Sequence, residues 1–120
     1  MEVYEINGPF FFGVADRLKD ELGAIERPPK VFILRLRHVL ALDATGLHAL
    51  EELHHTCRRQ GTVLVLSGVH AQPLFAMARA GFDRVVGEAN MTGDLSDALA
   101  RARVLLRERL REHEAHAPAA

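Results

Sequence analysis

Cysteine is nearly absent from this chain, and so are long apolar runs and an excess of charge of one sign. The single cysteine, Cys57, excludes an intramolecular disulfide and indicates a reducing compartment. The longest apolar segments, PFFFGVA and TVLVLSGV, are far shorter than the roughly 18 to 20 residues that a membrane-spanning helix needs. Fifteen basic and sixteen acidic residues create no overall field that would attract nucleic acid. The sequence therefore predicts a soluble cytosolic piece that does not bind nucleic acid.

Motifs for several kinds of chemistry are missing as well. There is no Gly-x-x-x-x-Gly-Lys-[Ser/Thr] loop, which excludes ATP hydrolysis of the P-loop type. His54 and His55 are neighbours on a predicted helix and cannot face one metal, whereas His48 and Glu52 have helical spacing but supply only two ligands. Cys57 has no evident His or Asn partner for a nucleophilic role. We therefore predict no enzyme activity, no metal site and no cofactor.

The apolar residues follow the alternating periods of a layered α/β domain. A length of 120 residues suits one domain with a real core. Helical spacing marks the segments 11–25, 47–57 and 95–110, and Pro73 fits the first turn of a shorter helix that ends near Gly81. Dense apolar runs predict the strands VYEI, KVFILRL, TVLVLSG and a minimal RVV.

This order predicts a largely parallel central sheet with about four helices, right-handed crossovers, and the N-terminal strand at an edge. We predict one domain over residues 1–113, followed by a flexible charged tail at 114–120.

The stretch LALDATGLHAL places three polar or small residues between a buried strand and a helix. Asp43 or Thr45 could accept hydrogen bonds from the free amides of the helix, and Gly46 would allow another backbone or a ligand to come close. In a parallel sheet, this junction lies on the edge where binding sites usually form. Two interpretations stand at this point: the residues only cap the helix, or they form a small site that a partner recognises.

The wider pattern resembles the STAS domain. The segment VFILRLRHVLALDATGLHAL is followed by GTVLVLSGV, a short helix ending in ARAGF, and a terminal amphipathic helix. That family includes bacterial anti-sigma factor antagonists and the cytoplasmic C-terminal domain of SulP anion transporters. The resemblance covers nearly the whole chain, and its sharpest element is an Asp-x-[Ser/Thr]-Gly junction, here Asp43, Thr45 and Gly46. It implies the STAS-type α/β fold.

Two branches of the family are open on these residues. In the antagonist branch the junction usually reads Asp-Ser-Ser-Gly, and a partner kinase phosphorylates the second hydroxyl. Here Ala44 replaces the first serine and Thr45 occupies the phosphorylated position. The segment NGPFFFGVADRL instead resembles the start of the transporter-type domain. We favour the transporter branch, and the alternative is a free-standing antagonist that switches partners through phosphorylation of Thr45.

The transporter resemblance implies a regulatory or interaction domain on the cytoplasmic side of the plasma membrane. Such a domain would modulate transport, folding or assembly, while the membrane part carries sulfate or a related anion. The expected partners are the transmembrane domain of the same transporter, a second protomer or a cytosolic protein, with weak binding of an anion or nucleotide at a helix N-terminus. The candidate contact residues are Asp43, Thr45, Gly46, Glu51, His55 and Arg58.

Overall fold

The computed structural model describes residues 1–7 and 11–115. They form four strands and five α-helices, with a 3₁₀ turn at Glu88–Asn90 before the last strand. In chain order the elements are β1 (Glu2–Asn7), α1 (Phe11–Ala24), β2 (Val31–His38), α2 (Ala44–Arg59), β3 (Val63–Ser67), α3 (Ala71–Ala80), α4 (Phe82–Val86), β4 (Met91–Thr92) and α5 (Leu95–Ala115).

The strands form one parallel sheet in the order β1-β2-β3-β4. The predicted α/β architecture, the parallel sheet and the edge position of the N-terminal strand are therefore confirmed. Because all strands run the same way, their carboxyl ends share one edge of the sheet, and the start of α2 follows directly from that edge.

Helices cover the sheet on both faces, which produces two apolar layers. On one face the alternating residues Phe32, Leu34 and Leu36 of β2 pack in a cluster with residues of α1 and α2. On the other face Val31 and Ile33 pack with α5, whose small residues Ala98 and Ala102 are fully buried. A strand buried on both faces reads as a continuous apolar run, as KVFILRL does.

The sequence-based assignment of the last strand is wrong. Arg84, Val85 and Val86, predicted as a minimal strand, lie in the short helix α4. Phe82 and Val86 are four residues apart and both buried, which is helical spacing, whereas Val85 is 56% exposed. The fourth strand is the two-residue segment Met91–Thr92, which pairs with the end of β3. A strand of two residues has no periodicity by which a sequence could reveal it.

Two further predictions concern residues outside the described part of the chain. The predicted turn at Asn7-Gly8-Pro9 falls largely on residues 8–10, and most of the predicted tail at 114–120 falls on residues 116–120. The helix α5 continues to Ala115, so residues 114 and 115 belong to it.

Candidate recognition site at the start of α2

Asp43 is the N-cap of α2. Its backbone is extended, and its carboxylate oxygen Oδ1 accepts a hydrogen bond of 2.8 Å from the amide of Gly46. Its carbonyl oxygen accepts the first helical hydrogen bond, from the amide of Leu47 at 2.9 Å. The carboxylate thus satisfies one of the amide groups that the first turn of a helix leaves free, and its negative charge lies at the positive end of the helix dipole.

Thr45 and Gly46 lie in the first turn behind this cap. Thr45 is exposed, whereas Gly46 is buried. The structure therefore brings the three motif residues together in one turn, with an exposed carboxylate and an exposed hydroxyl close along the chain. Both side chains are accessible to a partner or to a modifying enzyme.

Gln72 of α3 fixes the loop that precedes α2. Its side-chain oxygen accepts a hydrogen bond of 2.7 Å from the amide of Leu42, and its side-chain nitrogen donates one of 3.2 Å to the carbonyl of Leu42. Nearby, the ring nitrogen Nε2 of His70 forms a hydrogen bond with the carbonyl oxygen of Arg37, at the end of β2. The start of α3 is thereby joined to the strand and loop that present Asp43. Sequence reasoning missed Gln72, since nothing local distinguishes it from any other exposed helical glutamine.

The exposed face of α2 borders a groove against α1. Glu51 and His55, two of the predicted contact residues, line this groove of about 520 Å³ together with residues of α1 such as Lys19 and Asp20. Arg58, the third predicted contact residue on this face, is exposed but does not line the groove. The structure thus groups Glu51 with His55 and leaves Arg58 on the adjoining helix surface.

An ion-pair network missed by sequence reasoning crosses the groove. The Lys19 ammonium lies 2.8 Å from a Glu52 carboxylate oxygen and 3.1 Å from Asp16, and His48 Nε2 lies 3.0 Å from the other oxygen of Glu52. The hydrogen bond from Lys19 lowers the pKa of Glu52, and the bonds to Glu52 and Asp16 raise the pKa of Lys19. The network is largely exposed to solvent, so it contributes little to the stability of the fold.

Neither a metal centre nor a membrane span is found in the described residues. Across residues 1–7 and 11–115, no three His, Cys, Asp or Glu side chains converge in a way that could hold a metal ion. No helix in the same ranges is both long and apolar enough to cross a bilayer. The polar features at the start of α2 and along its exposed face are a capped helix start, an exposed hydroxyl and a charged groove.

A family model for the STAS domain matches residues 2–101. The chain belongs to the STAS domain family. This match confirms the resemblance drawn from the Asp43 to Gly46 junction, and it spans every strand of the sheet.

Two solved structures share the fold closely. The crystal structure of a sulfate transporter family protein from Wolinella succinogenes is 53% identical, covers 88% of this chain and 87% of its own, and superposes with a TM-score of 0.81. The STAS domain of a SulP transporter from Vibrio cholerae is 32% identical, covers 89% of this chain and 84% of its own, and has a TM-score of 0.83. One neighbour is a SulP transporter domain and the other a sulfate transporter family protein, so the antagonist alternative is not favoured.

One curated relative is much longer than this chain. The Bacillus subtilis (strain 168) protein YvdB, named as a candidate sulfate transporter, is 27% identical over 89 residues, which are 73% of this chain. The match covers only 17% of YvdB. This STAS domain therefore corresponds to a small part of that relative.

Replacement of Asp43 separates capping from recognition. We expect Asp43→Ala to lower the free energy of unfolding by about 0.5 to 2 kcal/mol, because the cap bond to Gly46 is lost, and Asp43→Ser to restore most of it. Asp94 is a matched control, since it accepts the same kind of bond, also at 2.8 Å, from the amide of Asp97 at the start of α5.

Urea denaturation and partner binding should be measured for the Asp43 variants and for Asp94→Ala. If Asp43→Ala and Asp94→Ala lose similar stability and only Asp43→Ala loses binding, the acid at position 43 has a recognition role. Equal binding by the two variants would leave capping as the whole role of Asp43.

Proposed function

We propose that this chain is the cytosolic regulatory domain of a SulP-like anion transporter. The observation that carries the proposal is the pairing of two likenesses: a whole-domain match to a SulP transporter STAS domain, and a match to only 17% of the transporter-like YvdB. In the proposed whole protein, a membrane part carries sulfate or a related anion. The STAS domain performs no catalysis and lies on the cytoplasmic side of the plasma membrane.

In this proposal the domain regulates transport because it makes different contacts with the transporter in its two states. A domain can shift such an equilibrium only if it binds one state better than the other. The start of α2 suits this task because Asp43 and Thr45 are exposed while Gln72 holds the preceding loop in place. Glu51, His55 and Arg58 extend the proposed contact surface along the helix. The partner is the membrane domain of the same transporter, a second protomer or a cytosolic protein.

Transport by the full-length protein tests this role. We expect removal of residues 1–110 to impair uptake or its regulation without changing which anion is carried, because the domain does not form the substrate site.

Thr45→Ala should keep most transport, since transporter regulation need not depend on phosphorylation. The measurement is anion uptake into proteoliposomes containing matched amounts of each protein, with Ser96→Ala as a control for loss of an exposed hydroxyl in the first turn of another helix.

A changed anion preference after truncation would show that the domain contributes to the substrate site, and the regulatory proposal would be abandoned. Unchanged uptake and regulation after truncation would contradict it equally.

The antagonist alternative, which the structural neighbours do not favour, can be tested at Thr45, because this residue is exposed at the start of α2. Phosphorylation would add roughly 1.5 to 2 negative charges at the start of α2, where free amides and the helix dipole can hold them. Beside the carboxylate of Asp43 these charges would change the surface that a partner meets. A free-standing switch protein should therefore lose its partner on phosphorylation, and Thr45→Ala should bind constitutively. Binding that ignores the phosphate would exclude this function.

A further inference from the structure

Helix α3 exposes large apolar side chains to solvent. Its inner side is formed by Pro73 and Met77, which are both buried. Its outer surface carries Leu74 and Phe75, which are 43% and 62% exposed, and no residue of Ala71–Ala80 is acidic. A surface helix normally has charged and polar residues on its outer side, whereas a helix that is apolar all round is covered by another structure. Most of the exposed side of α3 therefore lacks the polarity that suits contact with water.

The short helix α4 adds to this apolar surface. It follows α3 after the single residue Gly81 and contacts it. Phe82 and Val86 bury its inner side, so Val85 points outward and is 56% exposed. Grouped apolar residues on a surface, unlike single ones, usually mark an interaction site. The name α3 surface is used below for the exposed side chains of Leu74, Phe75, Arg79, Arg84 and Val85.

The exposed charges of the α3 surface are positive. Arg79 and Arg84 are both exposed, and the Arg79 guanidinium lies 5.9 Å from the centre of the Phe75 ring. The only acidic residue from position 71 to position 86 is Asp83, which is half-buried. The next acid, Glu88, lies beyond α4 in the 3₁₀ turn. Charge complementarity therefore favours an occupant that is anionic and can also accept apolar side chains.

An anionic lipid surface fits the α3 surface better than another protein does. A protein interface usually contains about ten direct hydrogen bonds. The α3 surface offers only its two guanidinium groups, and the neighbouring Gln72 is already bonded to the loop before α2. A twofold contact between two copies of the chain would bring the same positive surface against itself. At a bilayer, apolar side chains enter the boundary between headgroups and acyl chains, while basic side chains meet anionic headgroups.

We propose that the α3 surface lies against the anionic leaflet of the membrane that contains the transporter. Leu74 and Phe75 enter the headgroup region, and Arg79 and Arg84 bind the phosphate and carboxylate groups of anionic phospholipids. The choice of a bilayer rests on the proposed function, in which the membrane part of the same polypeptide holds the domain beside one. Such a tether makes a weak lipid contact effective, because it raises the local concentration of the two surfaces.

A single tryptophan tests whether the α3 surface meets lipid. The chain contains no tryptophan, so Phe75→Trp introduces one fluorescent reporter. The isolated chain is suitable, because the match to the Vibrio cholerae STAS domain covers 84% of the chain that was solved. With phosphatidylcholine vesicles that contain about one third phosphatidylserine, we expect the emission to shift to shorter wavelength and to be quenched by brominated acyl chains. Phosphatidylcholine alone should cause a much weaker effect, because it has no net charge.

Matched variants locate the contact on the domain. In the Phe75→Trp protein, the double variant Arg79→Glu, Arg84→Glu should weaken vesicle binding by about tenfold, because two attractions become repulsions. The double variant Arg103→Glu, Arg107→Glu changes the net charge equally at exposed positions of α5 and should weaken binding far less. In the otherwise unmodified chain, Leu110→Trp places the reporter at a 56% exposed position of α5, where we expect neither shift nor quenching. Circular dichroism checks that each variant is folded.

The outcomes separate this proposal from other occupants and from the proposed function. Emission that ignores anionic vesicles, with transport that still depends on the domain, would overturn the lipid contact alone and leave a protein partner to cover α3. A shift that grows with protein concentration in the absence of lipid would assign the surface to a second copy. Equal weakening by the two double variants would show a nonspecific charge effect and overturn the proposed surface. Lipid binding by a domain that transport ignores would support the contact and overturn the regulatory role.

Discussion

The thiol of Cys57 is expected to react with a thiol reagent at least ~10³-fold more slowly in the folded protein than in the unfolded chain. Cys57 is fully buried on the apolar stripe of α2, beside Leu50 and Leu53. A reagent reaches the sulfur only when the helix detaches or the domain unfolds. Ellman's reagent, mixed with the protein at several urea concentrations, measures this ratio. Rapid reaction in the absence of urea would contradict the burial of the thiol.

The same burial predicts a loss of stability in alkali. Burial raises the pKa of the Cys57 thiol from 9.0 to about 12, because the thiolate is poorly solvated inside the core. Between these values the unfolded chain releases the proton while the folded protein retains it. The free energy of unfolding should therefore fall as pH rises above 9, by about 1.4 kcal/mol between pH 8 and pH 10.

The control for this pH effect is Cys57→Ala. Its stability at pH 8 should be lower because a buried sulfur is removed, but the contribution of the thiol to the pH slope disappears. Lys19 also has a raised pKa, and the comparison cancels its effect because both proteins contain it. Urea denaturation at pH 8 and pH 10 gives the two differences. Equal losses in the two proteins would show that the thiol does not cause the alkaline effect.

Apolar periodicity was sufficient to predict most of the fold. Leu50, Leu53 and Cys57 lie on one predicted stripe and are all buried, because helical spacing alone decides which residues share a face. Pro73 lies in the first turn of α3, and Gly81 ends that helix with a φ of 76°. Such signals act within a few residues, so a single sequence contains them.

What escaped prediction depends on contacts between distant residues. Gln72 and Leu42 are 30 residues apart, and Lys19 and Glu52 are 33 apart. Each pair meets only after helices pack on the sheet, and an exposed glutamine or lysine gives no local sign of its partner. The motif predicted where the candidate site lies, whereas the support for its loop became visible only in the structure.

Gly68, in the loop that follows β3, is expected to be sensitive to substitution. Its φ is +70°, a left-handed conformation that costs other residues about 1 to 2 kcal/mol. A Cβ atom there would also lie 3.1 Å from Cβ and 3.3 Å from Cα of Arg37. Because Arg37 is in β2, relief of this contact requires the strand end or the loop after β3 to move. Gly68→Ala should therefore lower the free energy of unfolding by about 2 to 5 kcal/mol.

Gly81→Ala isolates the part of this effect that comes from the backbone conformation alone. Gly81 has nearly the same φ, +76°, but an added Cβ would meet nothing within 4 Å, so we expect a loss of only about 1 to 2 kcal/mol. The additional loss of stability in Gly68→Ala measures the clash of the added Cβ with Arg37.

This clash also affects the site, because displacement of the loop would separate His70 from the Arg37 carbonyl and draw Gln72 away from Leu42. In the folded Gly68→Ala protein, amide exchange at Leu42 should accelerate, while in Gly81→Ala it should not. Equal stability losses in the two variants, with unchanged exchange at Leu42, would show that Gly68 serves only its own turn and does not position the loop that presents Asp43.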